Sequence, residues 1–181
     1  MTPFVQFNCL RLNKDAILPN QVTEQEDAGW EVYITEELVL KPGQNIIKPG
    51  IAIQLEVLGF DLEGFMTSPG NHKQAQPVHT AYNMLNYMYK NQFRLWLQIR
   101  DKSGMALQGI RVSGGIVDKQ YTGEINLILD NVTDDDIYLP ASRKVVQIIP
   151  MLTPIACLKD VDHLGETVRG DGKMGSTGIL A

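Results

Sequence analysis

Cysteine and histidine are scarce in this chain, which has two of the first and three of the second among its 181 residues. Cys9 and Cys157 are too few for a disulfide framework and lack metal-type spacing. Both lie in apolar surroundings, so we expect them to be packing residues in a protein of a reducing compartment. His72, His79 and His163 match no ordinary zinc-ligand pattern, so the sequence argues against a zinc site.

An excess of positive charge and long apolar runs are also missing. The formal net charge is −5, whereas proteins that bind nucleic-acid polymers usually carry a basic surface that displaces counterions. No apolar run approaches the roughly 20 residues of a membrane span, and the first residues show no basic-then-apolar leader. We therefore expect a cytoplasmic protein with neither a nucleic-acid polymer nor a membrane as a partner.

The chain is long enough, and at 44% hydrophobic residues apolar enough, for one domain with a sizeable core. Short apolar or alternating runs between turn residues predict a mostly β domain of the sandwich or jelly-roll type. The predicted strands are Phe4–Leu12, Trp30–Ile34, Glu37–Leu40, Asn45–Ile47, Ile51–Val57, Phe93–Ile99, Gly109–Val112, Glu124–Leu129, Ile137–Leu139, Val145–Met151 and Ile155–Leu158.

One segment has a helical pattern instead. Between about residues 78 and 89, apolar side chains fall at helical offsets, namely Tyr82, Leu85, Met88 and Tyr89. We predict a short helix there, inside an insertion of about residues 60–92. A structureless loop of that length would be unusual in a compact domain.

The C-terminal segment, residues 169–181, is rich in glycine and has no core-forming pattern. Glycine lets successive backbone N–H groups converge on one point. Arg169, Ser176 and Thr177 add donors that match phosphate oxygens. We therefore predict a flexible phosphate-binding arm that follows a β domain of residues 1–168.

Five short motifs occur in order along most of the chain, at Asp27–Val32, Ser103–Ala106, Gly115–Ile125, Val145–Ile149 and Arg169–Gly178. Each is weak alone, but five in order are not plausibly chance. Together they resemble the motifs of the homotrimeric dUTPase family. The resemblance implies a distorted jelly-roll or β-clip fold, a homotrimer, and sites assembled from more than one chain. For a viral protein it would place the chain in the cytoplasm or nucleus of the host cell.

The resemblance also implies hydrolysis of dUTP to dUMP and pyrophosphate, with water attacking the α-phosphorus. Such a reaction needs a carboxylate that orients and deprotonates the water. Asp118 matches the aspartate of the third motif and is the expected catalytic base, and the Gly114–Gly115 pair before it is expected to shape a hairpin. Gly115 would allow close approach of the uracil edge. Tyr121 matches the tyrosine that lies under deoxyribose.

The phosphate contacts are implied in the same way. In the β domain they are Lys102, Ser103, Gly104 and Gln147, and in the arm they are Arg169, Gly175, Ser176 and Thr177, while Met174 of the arm is implied to contact the uracil base. Mg²⁺ is the expected cofactor, held largely by phosphate oxygens and water. Glu31 matches the residue that reaches this ion through a water.

Several positions depart from the family pattern. Lys102 stands where the family has arginine and cannot form a bidentate fork, and Arg100 lies two places earlier. The arginine of the fourth motif is matched either by Arg143, displaced by one residue, or by Lys144. Met174 replaces a phenylalanine that stacks on uracil. We expect weaker clamping of the base, or an aromatic ring from the insertion, with Tyr82, Tyr87 and Tyr89 as candidates.

Two other functions are also compatible with this fold. A non-catalytic homologue could bind nucleotide or act as a regulator through its insertion. A dCTP deaminase on the same fold would need a glutamate near Ile128, and no carboxylate occupies that place. Deamination is therefore the less favoured of the two.

Overall fold

The computed structural model describes residues 5–23, 26–58, 83–84, 87 and 91–167. This part of the chain contains eleven strands and the four-residue helix Ser103–Ala106. The strands are β1 (Val5–Arg11), β2 (Trp30–Tyr33), β3 (Leu38–Leu40), β4 (Gly43–Ile47), β5 (Ile51–Val57), β6 (Phe93–Asp101), β7 (Ile110–Ser113), β8 (Ile116–Asp118), β9 (Leu127–Asn131), β10 (Ile137–Leu139) and β11 (Lys144–Pro154). The mostly β prediction is confirmed.

The strands pair antiparallel in four small sheets. Two are two-stranded, β1 with β5 and β3 with β10, and a third has the order β4-β9-β7. The fourth has the order β2-β11-β6-β8 and carries three of the predicted site residues, Glu31, Gln147 and Asp118. Several small antiparallel sheets around one core give the jelly-roll-like architecture.

Strand β6 determines which side chains share a surface in the four-stranded sheet. Leu95, Leu97 and Ile99 are buried and face the core, while the residues between them are half-buried or exposed. Since successive side chains of a strand point to opposite faces, the even-numbered residues from 94 to 100 lie on the outer face. Burial of the apolar face fixes this register, because a slip by one residue would expose the whole apolar row.

The predicted hairpin at Gly114–Gly115 is wrong. β7 pairs with β9 and β8 pairs with β6, so this dipeptide is a corner between two sheets. Gly114 has a φ of 63°, which favours glycine. Gly115 packs directly against β6: its carbonyl oxygen accepts the Ile99 N–H at 2.7 Å, and a Cβ at Gly115 would lie 2.6 Å from the Ile99 carbonyl oxygen.

Two further predictions differ from the structure near the end of the described chain. Residues 155–158 form no strand, and all four are exposed. Cys157 is therefore an exposed thiol and not a packing residue. Cys9 is half-buried in β1 and packs against the core, and burial raises the pKa of its thiol although the charge of Arg11 opposes this.

Most of the insertion at residues 60–92 lies outside the described residues, and so do Tyr82 and Tyr89. Asn83, Met84 and Tyr87, which are described, have helical backbone. In the part of the chain that the structure describes, no helix is long and apolar enough to cross a membrane.

Candidate active site

Asp118 is the last residue of β8 and lines an open groove with a volume of about 1430 Å³. Across the sheet it stands directly opposite Trp96 of β6. The groove is bounded by β1, β5, the first half of β6 and the residues that follow β8. A carboxylate on the wall of an open groove can reach a bound molecule and a water together, as a general base requires.

Tyr121 lies beside Asp118 because the chain turns tightly between them. The Tyr121 N–H donates to the Asp118 carbonyl oxygen at 3.0 Å. The Tyr121 hydroxyl donates to the Glu124 carbonyl oxygen at 2.7 Å, and the ring lies over Gly123, where a Cβ would be 2.7 Å from the hydroxyl oxygen. Tyr121 is thus held at the groove, with 43% of its surface exposed.

The groove contains two side chains that sequence reasoning missed, Arg94 and Trp96. Both lie on the outer face of β6, and the Trp96 Nε1 donates to Thr153 Oγ1 at 2.6 Å. The alternation of the predicted strand Phe93–Ile99 could have placed them on one face. It could not have shown that Asp118 pairs with that strand.

A second group of predicted residues lies at the other end of β6. Ser103 and Gly104 open the short helix and are exposed, while Met105 is buried and anchors it. A Cβ at Gly104 would meet nothing within 4 Å, so there is open space at this turn. Gln147 of β11 lies nearby, opposite Arg100, and donates to the Asp101 carbonyl oxygen at 3.2 Å.

Next to Gln147 the structure brings together Glu31, Lys102 and Lys144, which we call the lysine cluster. The Lys102 ammonium contacts Glu31 Oε1, and the Lys144 ammonium forms an ion pair with Glu31 Oε2. Burial acts to raise the pKa of Glu31, but the hydrogen bonds and charges of the two lysines outweigh it and lower that pKa. The same contact raises the pKa of Lys144.

The predicted magnesium role of Glu31 depends on what its carboxylate can accept. Both oxygens of the carboxylate face an ammonium group, and each oxygen can still accept a second hydrogen bond. Among the described residues, no group of three or more His, Cys, Asp and Glu side chains could hold a metal ion. The water-mediated role of Glu31 toward Mg²⁺ stays a prediction from the resemblance.

The two groups of site residues are far apart within one chain. Asp118 pairs with Trp96, whereas Lys102 follows the end of the same strand, six residues further on. At about 3.3 Å per residue, the separation along β6 is roughly 20 Å. Residues of the predicted arm, Arg169 to Thr177, lie outside the described residues.

Comparison with known proteins gives the family. A family model described as dUTPase matches residues 73–178. Two relatives are deoxyuridine 5'-triphosphate nucleotidohydrolases. The one from Clostridium novyi (strain NT) is 31% identical over 93% of this chain and 96% of its own. The one from Clostridioides difficile is 30% identical over 93% of this chain and 95% of its own.

Solved structures show the same fold. The dUTPase of Staphylococcus bacteriophage 80alpha, determined with dUpNHpp, superposes with a TM-score of 0.63 at 16% identity, covering 96% of this chain and 99% of that one. The native EIAV dUTPase superposes with a TM-score of 0.54 at 20% identity, covering 88% and 99%. With the family model matching more than half of the chain and relatives aligning along nearly all of it, the chain belongs to the dUTPase family.

Proposed function

We propose that the chain hydrolyses dUTP to dUMP and pyrophosphate, with Asp118 as the base that activates the attacking water. Membership of the dUTPase family supports the reaction. The observation that supports the residue is the position of Asp118 on the wall of an open groove of about 1430 Å³, next to Tyr121. Tyr121 has the exposure and the fixed orientation needed to lie under a deoxyribose ring.

The substrate's inner phosphates would be bound by the second group. The open helical turn at Ser103 and Gly104 offers a hydroxyl and unhindered backbone, and Lys102 and Gln147 lie beside it. Phosphate oxygens match such donors well. The predicted arm, Arg169 to Thr177, would close over the nucleotide and exclude bulk water. Met174 of this arm would contact the uracil ring.

Each active site would be shared between chains of a homotrimer, the assembly typical of the family. A base must lie within about 3–3.5 Å of the atoms it acts on in a productive complex. The roughly 20 Å between Asp118 and Lys102 along β6 is much longer than such a contact, which supports a site in which the two residues come from different chains. A neighbouring chain that presents its own Ser103 turn to this groove would complete the site.

Magnesium would enter the site with the substrate, bound to the triphosphate oxygens. A related dUTPase, from phage phi11 of S. aureus, coordinates a structural Mg(II) ion. A triphosphate binds Mg²⁺ through its own oxygens and several waters, so a dedicated protein cage is not required.

Asp118→Asn tests the proposed base. The amide keeps the size of the side chain but cannot take a proton, so pyrophosphate release should fall by about a hundredfold or more. Binding of a non-hydrolysable dUTP analogue, measured by calorimetry, should stay within a few-fold of wild type. Asp136→Asn, at an exposed carboxylate paired with Lys41, is the matched control. Normal turnover in Asp118→Asn would refute the assignment.

A further inference from the structure

We propose that Trp96 is a substrate-binding residue, on whose indole ring the uracil of the substrate stacks. This inference rests on the proposed function, because it places the base of the same nucleotide on which Asp118 acts. The rings expected from the sequence were Tyr82, Tyr87 and Tyr89 of the insertion. The groove that holds Asp118 contains instead an aromatic ring carried by β6.

The two tryptophans of the chain have different surroundings. Trp30 stands opposite the buried Ile148 and packs against the core, and its ring centroid lies 5.1 Å from that of Phe7. Trp96 lies on the outer face of β6, half-buried, and lines the groove. Packing of the core therefore does not account for Trp96, whereas ligand pockets are commonly lined by aromatic side chains.

A hydrogen bond fixes the orientation of the Trp96 side chain. Its Nε1 donates to Thr153 Oγ1 at 2.6 Å, and an indole has no other polar hydrogen. Thr153 stands opposite Arg94, two residues before Trp96 on the same face, so the ring leans from β6 toward β11. With its donor satisfied, the indole offers the groove an apolar ring surface. Little side-chain entropy remains to be lost when a flat ring binds there.

Trp96 is also next to the proposed base. Asp118 and Trp96 are directly opposite each other in the β6–β8 pair, so their side chains share a face and their Cβ atoms are about 5 Å apart. Tyr121 is held beside Asp118 by the turn between them. A nucleotide with its α-phosphorus at Asp118 and its deoxyribose on Tyr121 has its base within reach of Trp96, because the base is attached directly to the sugar.

The chemistry that fits this surface is a flat aromatic base. Stacking of a base on an aromatic side chain tolerates any base, since every base has a π-face. Trp96 therefore strengthens binding of the base without selecting uracil over other bases. Its loss should weaken every ligand that carries the base and should leave pyrophosphate, which has no ring, unaffected.

A non-aromatic analogue of the base isolates stacking. 5,6-Dihydro-dUMP keeps the carbonyl and N–H groups of uracil, but its saturated ring is puckered and stacks poorly. Dissociation constants of dUMP and 5,6-dihydro-dUMP are measured by calorimetry for wild type, Trp96→Leu, Trp96→Phe and the control Trp30→Phe. KM for dUTP and the inhibition constant of inorganic pyrophosphate are measured for the same proteins.

Wild type and Trp30→Phe should bind dUMP about fivefold or more tightly than its dihydro form. Trp96→Leu should weaken dUMP binding and raise KM for dUTP about tenfold, lose the preference for the aromatic base, and keep the pyrophosphate constant of wild type. Trp96→Phe should keep most of the affinity and of the preference, because it retains an aromatic ring.

Intrinsic fluorescence tests the native ring. In Trp30→Phe the indole of Trp96 is the only one in the chain, which has two tryptophans. A stacked base should quench its emission, so dUMP should lower the intensity, whereas 2-deoxyribose 5-phosphate at the same concentration should not. Absence of quenching at saturating dUMP, or equal quenching by the sugar phosphate, would overturn the proposal. This measurement decides the question if Trp96→Leu does not fold, because it leaves Trp96 in place.

The outcomes separate this inference from the proposed function. If the wild-type chain does not release pyrophosphate from dUTP, the proposed function fails. If it does, and Trp96→Leu keeps the wild-type preference for dUMP over its dihydro form, only the assignment of Trp96 fails. A loss of affinity that extends to pyrophosphate would show a structural role and would also overturn the assignment.

Discussion

Sharing of the active site between chains can be tested by complementation. Two inactive variants are co-expressed with different affinity tags, Asp118→Asn on one chain and Ser103→Ala on the other. Tandem purification then keeps only trimers that contain both chains. Each variant alone forms trimers in which every site is damaged, and neither should show more than residual turnover.

The expected recovery follows from the geometry. If every site takes Asp118 from one chain and Ser103 from the next around a threefold axis, a mixed trimer always has a site built from two intact groups. This holds for both compositions, two chains of one variant with one of the other. The purified mixed trimers should therefore show about one third of the wild-type turnover per trimer.

The measurement is pyrophosphate release from dUTP with saturating Mg²⁺. In a control preparation, one kind of chain carries both substitutions and the other kind is wild type. The numbers of intact and damaged sites in its mixed trimers depend on how many chains of each kind a trimer contains. If each site were built within one chain, the Asp118→Asn and Ser103→Ala mixture would recover nothing above the single variants. That result would refute the argument from the separation along β6.

Three further predictions concern stability and reactivity. Glu31→Gln should lower Tm at neutral pH, because it removes the ion pairs with the two lysines. The difference in Tm should shrink as the pH falls below 4.5, the ordinary pKa of a glutamate. The stabilisation by the ion pairs is complete above pH 4.5 and is lost as the pH falls through the lowered pKa of Glu31 in the folded protein. Gly115→Ala should lower the free energy of unfolding, measured with denaturant, by about 1–3 kcal/mol. The added Cβ would lie 2.6 Å from the Ile99 carbonyl oxygen, and wild-type stability would contradict this close packing. Iodoacetamide should modify the exposed Cys157 before Cys9, because the thiol of Cys9 is half-buried and has a raised pKa. The order is measured by mass spectrometry of digests, and the reverse order would contradict the burial of Cys9.

The predicted and observed strands agree closely for most of the chain. The predicted and the observed strand β5 both extend from Ile51 to Val57. The apolar face of a strand must be buried, so its apolar residues and the turn residues around it can be recognised in the sequence. The same reasoning fails at residues 155–158, where an apolar run follows β11 but pairs with none of the described strands. Local pattern shows that a segment could be a strand, whereas pairing depends on a partner elsewhere in the chain.

The sequence by itself determined the family, the β architecture and the identity of the candidate groups, because motif residues such as Asp118, Tyr121 and Ser103 keep their order and neighbours along the chain. Only the tertiary structure decided how these groups are distributed. Strand pairing put Asp118 opposite Trp96 and Gln147 opposite Arg100, at different positions along β6. A one-residue bulge decided that Lys144 reaches Glu31. Register and bulges arise from contacts between distant segments, so one sequence pattern is compatible with several of them until the sheets are packed.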